Sequence, residues 1–293
     1  MGSERGARGT LYVVGTPIGN LDDLSPRAVE AFAASDLIAC EDTRRSRTLL
    51  SRHGLTTRLV SYHKFNEMRR LPDLLETLGR GGRVSLVSDG GTPGISDPGA
   101  RLVNAARSAG HVLVPIPGAS AITALLSVSG LDPGPFTFIG FLPHRKGERR
   151  RALESLRAEP RPLLFFESPR RVVATLTDTL EILGDRGALL GREMTKVHEE
   201  FVAGTVRTLI AAFEGREARG EIAFLLAGAV PSPSAAAAPV APEARPGEGP
   251  GRRVRLLIES GVDRKEAMRR VARETGLSRR DLYRMILRER EEE

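Results

Sequence analysis

The sequence predicts an α/β protein with two tandem α/β domains and a small helical domain behind them, on three observations. Between Leu11 and Gly228, short apolar runs of strand length alternate with stretches of helix length, the pattern of sheets covered by helices. From Ala229 to Gly251 the composition turns to proline, alanine and glycine with no periodic apolar face, as in a semi-extended or disordered linker. Beyond it, arginine-rich helical patterns resume. The expected division is therefore a disordered N-terminus over 1–10, α/β domains over 11–116 and 117–228, a linker over 229–251 and a helical domain over 252–293.

Each element has a local reason. Strand Leu11–Val14 leads to helix Pro26–Ala34, with Ser25 as N-cap and Pro26 at the first helical position. Strand Leu37–Cys40 ends at the polar Glu41-Asp42-Thr43-Arg44, and helix Arg45–Arg52 stops near Gly54, a left-handed cap. Strand Arg58–Tyr62, the polar His63–Glu67 cluster, helix Pro72–Leu78, strand Val84–Val87, helix Arg101–Ala109 and strand Val112–Ile116 complete a first, largely parallel set. Pro117-Gly118-Ala119-Ser120-Ala121 marks the junction, and a small-residue helix follows to Ser129. The second set reads as strand Phe136–Phe141, a basic loop His144–Arg151, helix Ala152–Ala158, strand Leu163–Glu167 and helix Arg171–Leu183. Strands at Ala188–Glu193, Glu199–Val202 and Ile222–Ala227 close it. In the tail, Arg264–Glu274 and Arg280–Arg290 form a helix-turn-helix-like pair suited to nucleic acid.

Bulk properties limit the function. The 293 residues are 40% hydrophobic and 28% charged, a globular balance without the roughly 18 to 20 apolar residues of a membrane span. No signal-peptide pattern opens the chain and Cys40 is its single cysteine, so a cytosolic protein without disulfide or cysteine-zinc chemistry is expected. The net charge of +7 is clumped in 144–151 and beyond Gly251, which favours a polyanion such as RNA. Five histidines lack metal-ligand spacing, so no metal is expected.

Two stiff loops carry the strongest chemical signal. Ser88–Gly99 joins a buried strand to a helix and holds four glycines and two prolines. Gly15–Asn20 likewise follows an apolar run directly. Such loops gather where ligands bind, at the carboxyl ends of strands. Neither is a Gly-Lys-Ser/Thr phosphate loop or a Gly-x-Gly-x-x-Gly fingerprint, so the ligand is not expected to be gripped by phosphates. Polar strand ends at Glu41–Arg44, Glu167–Arg171 and Arg192–Lys196 would face the same cleft.

Laid out in order, Val14–Leu21, Ala39–Arg44, Val87–Gly99, Pro117–Ile122, Gly140–Pro143, Phe165–Pro169 and Arg192–Lys196 closely resemble the motifs of the bacterial ribosomal RNA small subunit methyltransferase I family. That family belongs to the tetrapyrrole methylase group. The resemblance implies domains of the tetrapyrrole methylase type, with S-adenosylmethionine in the inter-domain cleft, and a homodimer. It implies 2′-O-methylation of a cytidine in the decoding region of 16S rRNA, in the small ribosomal subunit. The implied cofactor contacts are Thr16, Pro17, Ile18, Gly19, Asp89, Thr92, Pro93, Gly94, Ser120, Ala121 and Phe166. Asp42, Glu167, Glu193 and Lys196 are the candidates for catalysis, and Arg44, Asn66, Arg145, Lys146, Arg149 and Arg150 for holding RNA. Gly90, Ala119 and Arg170 depart from common family residues. A tetrapyrrole-precursor methylase of the same fold and a non-enzymatic nucleic-acid binder remain the alternatives.

Overall fold

The computed structural model describes residues 8–131, 134–216, 219–229, 250–259, 263–275 and 277. Two compact units divide at Ala229 and Val230.

The first unit contains two five-stranded sheets. The first sheet is parallel throughout, in order β3-β2-β4-β1-β5, from β1 (Thr10–Val14), β2 (Leu37–Cys40), β3 (Leu59–Ser61), β4 (Arg83–Val87) and β5 (Val112–Ile116). Helices α1 (Pro26–Ala34), α2 (Thr43–Arg52), α3 (Glu67–Gly79) and α4 (Ala100–Ser108) connect them. Two apolar clusters, one around Phe32 and Ile38, the other around Leu11, Leu74 and Leu102, explain why β2 and β4 are almost uniformly apolar: a parallel strand is buried on both faces.

Helix α5 (Ala121–Ser127) leads to the second sheet, ordered β6-β7-β10-β8-β9. Its strands are β6 (Thr137–Phe141), β7 (Leu163–Glu167), β8 (Gly187–Arg192), β9 (Glu200–Thr205) and β10 (Ile222–Leu226). Only β6 and β7 pair in parallel; every other pairing is antiparallel. Helices α6 (Lys146–Ser155), α7 (Val172–Leu183) and α8 (Val206–Phe213) cover one face, over a core containing stacked Phe165 and Phe224.

Several expectations are met atom by atom. Ser25 Oγ accepts from Ala28 N at 3.2 Å, and Gly54 sits at φ 66° behind α2. Others need correction. Helix α3 begins five residues before Pro72; the carbonyl that the proline leaves unpaired belongs to Met68, exposed to water. The basic stretch is no loop, because α6 starts at Lys146. Helix α8, capped by Thr205, follows β9 directly and was not legible beside the strand pattern.

In the second unit, helices Pro250–Glu259 and Arg264–Thr275 share a small core of Val254, Leu257, Ala267 and Val271. The first of these falls partly inside the expected linker and was not anticipated. Residues 230–249 of that linker, most of the expected disordered N-terminus and the expected helix Arg280–Arg290 lie outside the described residues. Among the described residues no helix is long and apolar enough to cross a membrane.

Candidate functional site

The two glycine loops are braced against each other. The backbones of Thr16 and Gly91 exchange hydrogen bonds of 2.9 and 3.0 Å, and the Thr16 hydroxyl donates to Ser88 O at 3.3 Å. Gly91 adopts φ 82° to make this bridge, a conformation that costs glycine nothing. On the other side of β1, a Cβ on Gly118 would lie 2.5 Å from Gly15 O. Only glycines let the junction Pro117–Ser120 approach the first loop.

The second sheet supplies the facing wall through Phe141 at the end of β6, Phe166–Pro169 at the end of β7, Met194 after β8 and Gly220–Ala223 entering β10. With Ile18, Asp89–Thr92, Ile95–Asp97 and Ser120–Ile122 these close a cavity of about 340 Å³, within the usual small-ligand range of about 300 to 1,000 Å³. Phe166 stands edge-on to Phe138 and Phe141, with centroids 5.1 and 5.7 Å away. One end of the cavity is acidic. Burial pushes Asp97 up to about 6 against the Ser88 hydrogen bond, and Glu41, Asp89 and Glu221 add to the rise. Burial, then the charge of Asp89, also raises Glu41. A cationic ligand would relieve this crowding.

A second cavity, of about 350 Å³, lies against the Thr16–Gly19 segment. Arg45, Ser46 and Thr48 of α2 line it, together with Lys196. Ile18, Asp89, Gly90 and Glu221 line both cavities, so they form a common wall. Arg45 Nη1 lies 3.5 Å from Asp89 Oδ2. Lys196 Nζ lies 2.7 Å from Glu193 Oε1 and 3.5 Å from Glu221 Oε2. For Glu193, burial acts upward, but the hydrogen bonds from Lys196 and Glu221 N outweigh it and hold the carboxyl below its ordinary range.

The turn carrying these groups is strained. Ser96, Glu193 and Thr195 are the non-glycine residues at positive φ among those described (63°, 50° and 67°). Each such residue costs about 1 to 3 kcal/mol and tends to sit at functional sites. Ser96 lines the first cavity, and the other two flank Met194, which also lines it. Thr195 Oγ1 accepts from Asn20 N at 3.0 Å, and a Cβ on Gly19 would meet Lys196 Cγ at 2.4 Å. The Arg192–Lys196 turn is thereby docked on the first loop.

The structure sorts the expected residues. Ile18, Asp89, Thr92, Ser120, Ala121 and Phe166 line the first cavity. Thr16, Pro17 and Gly19 line only the second, and the Thr16 hydroxyl is spent on the loop brace. Pro93 and Gly94 line neither cavity; Gly94, at φ 83°, shapes the turn.

Of the catalytic candidates, Asp42 lines neither cavity. It caps α2 and grips Arg44, and that side-chain pairing holds its carboxyl at about 2. Glu167 borders the first cavity, but its carboxylate is spent internally on Ser168 N (2.7 Å), Thr175 Oγ1 (2.7 Å) and Arg171 Nη2 (3.1 Å). Glu193 is engaged by Lys196, and Lys196 alone of the four lines the second cavity.

Among the RNA candidates, Arg149 is buried 2.6 Å from Asp178, and Arg150 joins the same network through Asp178 and Glu181. Arg149 is therefore closed to a phosphate, and Arg150 commits its Nη1 to the two carboxylates. Asn66 is buried and spends its amide on His63 N and Ser61 O. Arg44 is tied to Asp42, while Arg145 and Lys146 are exposed at the start of α6. Arg45, Asp97 and Glu221 were missed as site residues. Arg45 stood one place from a polar strand end, and Glu221 precedes a strand that read as pure core.

A parallel sheet and a mixed sheet enclosing a small-ligand cavity define a class of two-sheet α/β binding proteins, and comparisons with known proteins place the chain within it. A sequence model described as Tetrapyrrole (Corrin/Porphyrin) Methylases matches residues 10–210. A ribosomal RNA small subunit methyltransferase I of Synechocystis sp. is 44% identical over 283 residues, covering 95% of this chain and 98% of the relative. The Thermotoga maritima protein of the same name is 46% identical over 220 residues, 75% of this chain and 99% of the relative. Solved structures share the fold: the methyltransferase CobJ (TM-score 0.56, 20% identity, 75% of this chain and 95% of that one) and a diphthine synthase (TM-score 0.59, 16% identity, 74% and 89%). The chain therefore belongs to the tetrapyrrole methylase family and, within it, to the ribosomal RNA small subunit methyltransferase I group.

Proposed function

We propose that the chain is an S-adenosylmethionine-dependent methyltransferase of small-subunit ribosomal RNA, and that its acceptor is the 2′-hydroxyl of a cytidine in the decoding region of 16S rRNA. The observation that carries this reading is the pair of cavities with a common wall, one apolar and acidic, the other edged by Arg45 and Lys196. The relatives' shared name supports the rRNA substrate, and the motif resemblance supports the ribose position.

The first cavity fits the cofactor. Ile18, Ala121, Ile122 and Phe166 offer apolar surface to a flat adenine. Asp89, Asp97 and Glu221 offer acceptors for hydroxyls and negative charge for cationic groups. Bound there, S-adenosylmethionine supplies an electrophilic sulfonium methyl group, and its transfer to a hydroxyl releases one proton. This chain's part is to orient the acceptor, exclude water and receive that proton. Positioning can contribute about 7 to 11 kcal/mol in favourable systems, and a placed base about 10²- to 10⁴-fold in rate. In this reading Lys196, oriented by Glu193, holds the acceptor hydroxyl, and the exposed Glu221 carboxylate beside it takes the proton.

The same reading includes a cytosolic homodimer, whose stoichiometry sedimentation of the full chain tests. The decisive assay is methyl transfer from labelled cofactor to small ribosomal subunits, with mass spectrometry locating the label on the RNA. Label on a nucleobase, or transfer to a corrinoid precursor and not to RNA, would refute the assignment. Lys196→Ala is expected to lose at least tenfold in kcat at saturating cofactor; wild-type turnover would remove Lys196 from the mechanism.

A further inference from the structure

We propose that the second cavity is a receptor for the sugar-phosphate of a single nucleotide, with Arg45 as its phosphate contact. The inference rests on the methyltransferase reading above and deepens it. Three observations carry it. First, the cavity is separate from the cofactor's yet shares Ile18, Asp89, Gly90 and Glu221 with it, so an occupant would lie one wall away from the donor. Second, its volume of about 350 Å³ suits one nucleotide, as do the pockets of enzymes that draw a nucleotide out of its stack. Third, its cations differ in how free they are. Lys196 is fixed 2.7 Å from Glu193. Arg45 is largely exposed, and its ion pair with Asp89, at 3.5 Å, is too long for a strong hydrogen bond. Its planar fork of donors can take a phosphate in two-pronged fashion. The neighbouring Arg44 cannot do so equally, because its Nε and Nη2 already bind Asp42 at 3.2 and 2.8 Å. Ser46 and Thr48 of the same helix line the cavity too, the Thr48 hydroxyl donating to Arg44 O at 3.2 Å.

The consequence is that the target nucleotide enters alone, unstacked from its neighbours. The test uses the full chain and small ribosomal subunits, measuring binding from 50 to 200 mM salt beside steady-state methylation. Arg45→Gln should weaken subunit binding and raise KM about tenfold. It should also lower the slope of log K against log salt by about 0.7 to 1, the signature of one lost phosphate contact. Cofactor affinity by calorimetry should stay within about twofold of wild type, and Arg45→Lys should recover part of the binding, since charge returns without the fork. An unchanged salt slope in an otherwise active Arg45→Gln chain overturns this inference alone, as does an equal loss of cofactor affinity. A wild-type chain that binds cofactor but neither binds nor methylates subunits overturns the functional reading, and this inference with it.

Discussion

Asp97 offers the sharpest test of the cofactor cavity. Burial and the surrounding carboxylates raise its pKa from 3.8 to about 6, so the folded, ligand-free chain binds a proton there more tightly than the unfolded chain does. Its contribution to stability therefore grows as pH falls from about 6 towards 3.8 and is lost as pH rises through 6. A cationic ligand reverses the preference by favouring the carboxylate. If binding requires that form, a group titrating at about 6 is roughly one-eleventh ionised at pH 5 and almost fully ionised at pH 7.5. Cofactor affinity should then be about tenfold weaker at pH 5 than at pH 7.5. Asp97→Asn keeps the shape and removes the titration, so its affinity at pH 7.5 should drop and its profile should flatten. Calorimetry of both chains from pH 5 to 8 decides the matter. Every other group is common to both chains, so the difference between the two profiles reports Asp97. A wild-type profile without a step near 6, or an Asp97→Asn chain with the same step, refutes the reasoning.

Three further outcomes follow from the geometry. Asp178→Ala strands the buried Arg149 guanidinium and should cost about 3 to 5 kcal/mol in urea denaturation. Arg149→Ala should cost less, because Asp178 keeps Arg150 at 2.7 Å; equal losses would contradict this. Gly118→Ala drives a Cβ to 2.5 Å from Gly15 O and should cost on the order of 1 to 3 kcal/mol. Cofactor affinity should fall with it, and an unchanged melting temperature would refute the close approach. Glu193→Gln weakens the hold on Lys196 and should lower kcat by up to about 10²-fold, the scale of a small misplacement. If only the KM for cofactor moves, Glu193 does not orient the chemistry.

The fold was legible where periodicity and punctuation agree: Ser25-Pro26 at the start of α1, Gly54 behind α2, and the uniformly apolar β4 running into its glycine loop. Charge was harder to read. The arginines of 144–151 look alike in sequence, yet Asp178 and Glu181, about thirty positions on, draw Arg149 and Arg150 inward while Arg145 stays exposed. Asp42 and Glu167 were hard to read for the same kind of reason: each carboxylate is engaged by partners that local spacing does not fully reveal. Arg45 and Glu221 were missed because a cavity wall brings together residues far apart along the chain.

The mutual pair of hydrogen bonds between Thr16 and Gly91 has a mechanical meaning. The rim of one chamber and the rim of the other are a single riveted plate, so neither compartment can shift without carrying its neighbour along. Whatever separation the chemistry requires between giver and taker is thus written into main-chain spacing, out of reach of most side-chain replacements.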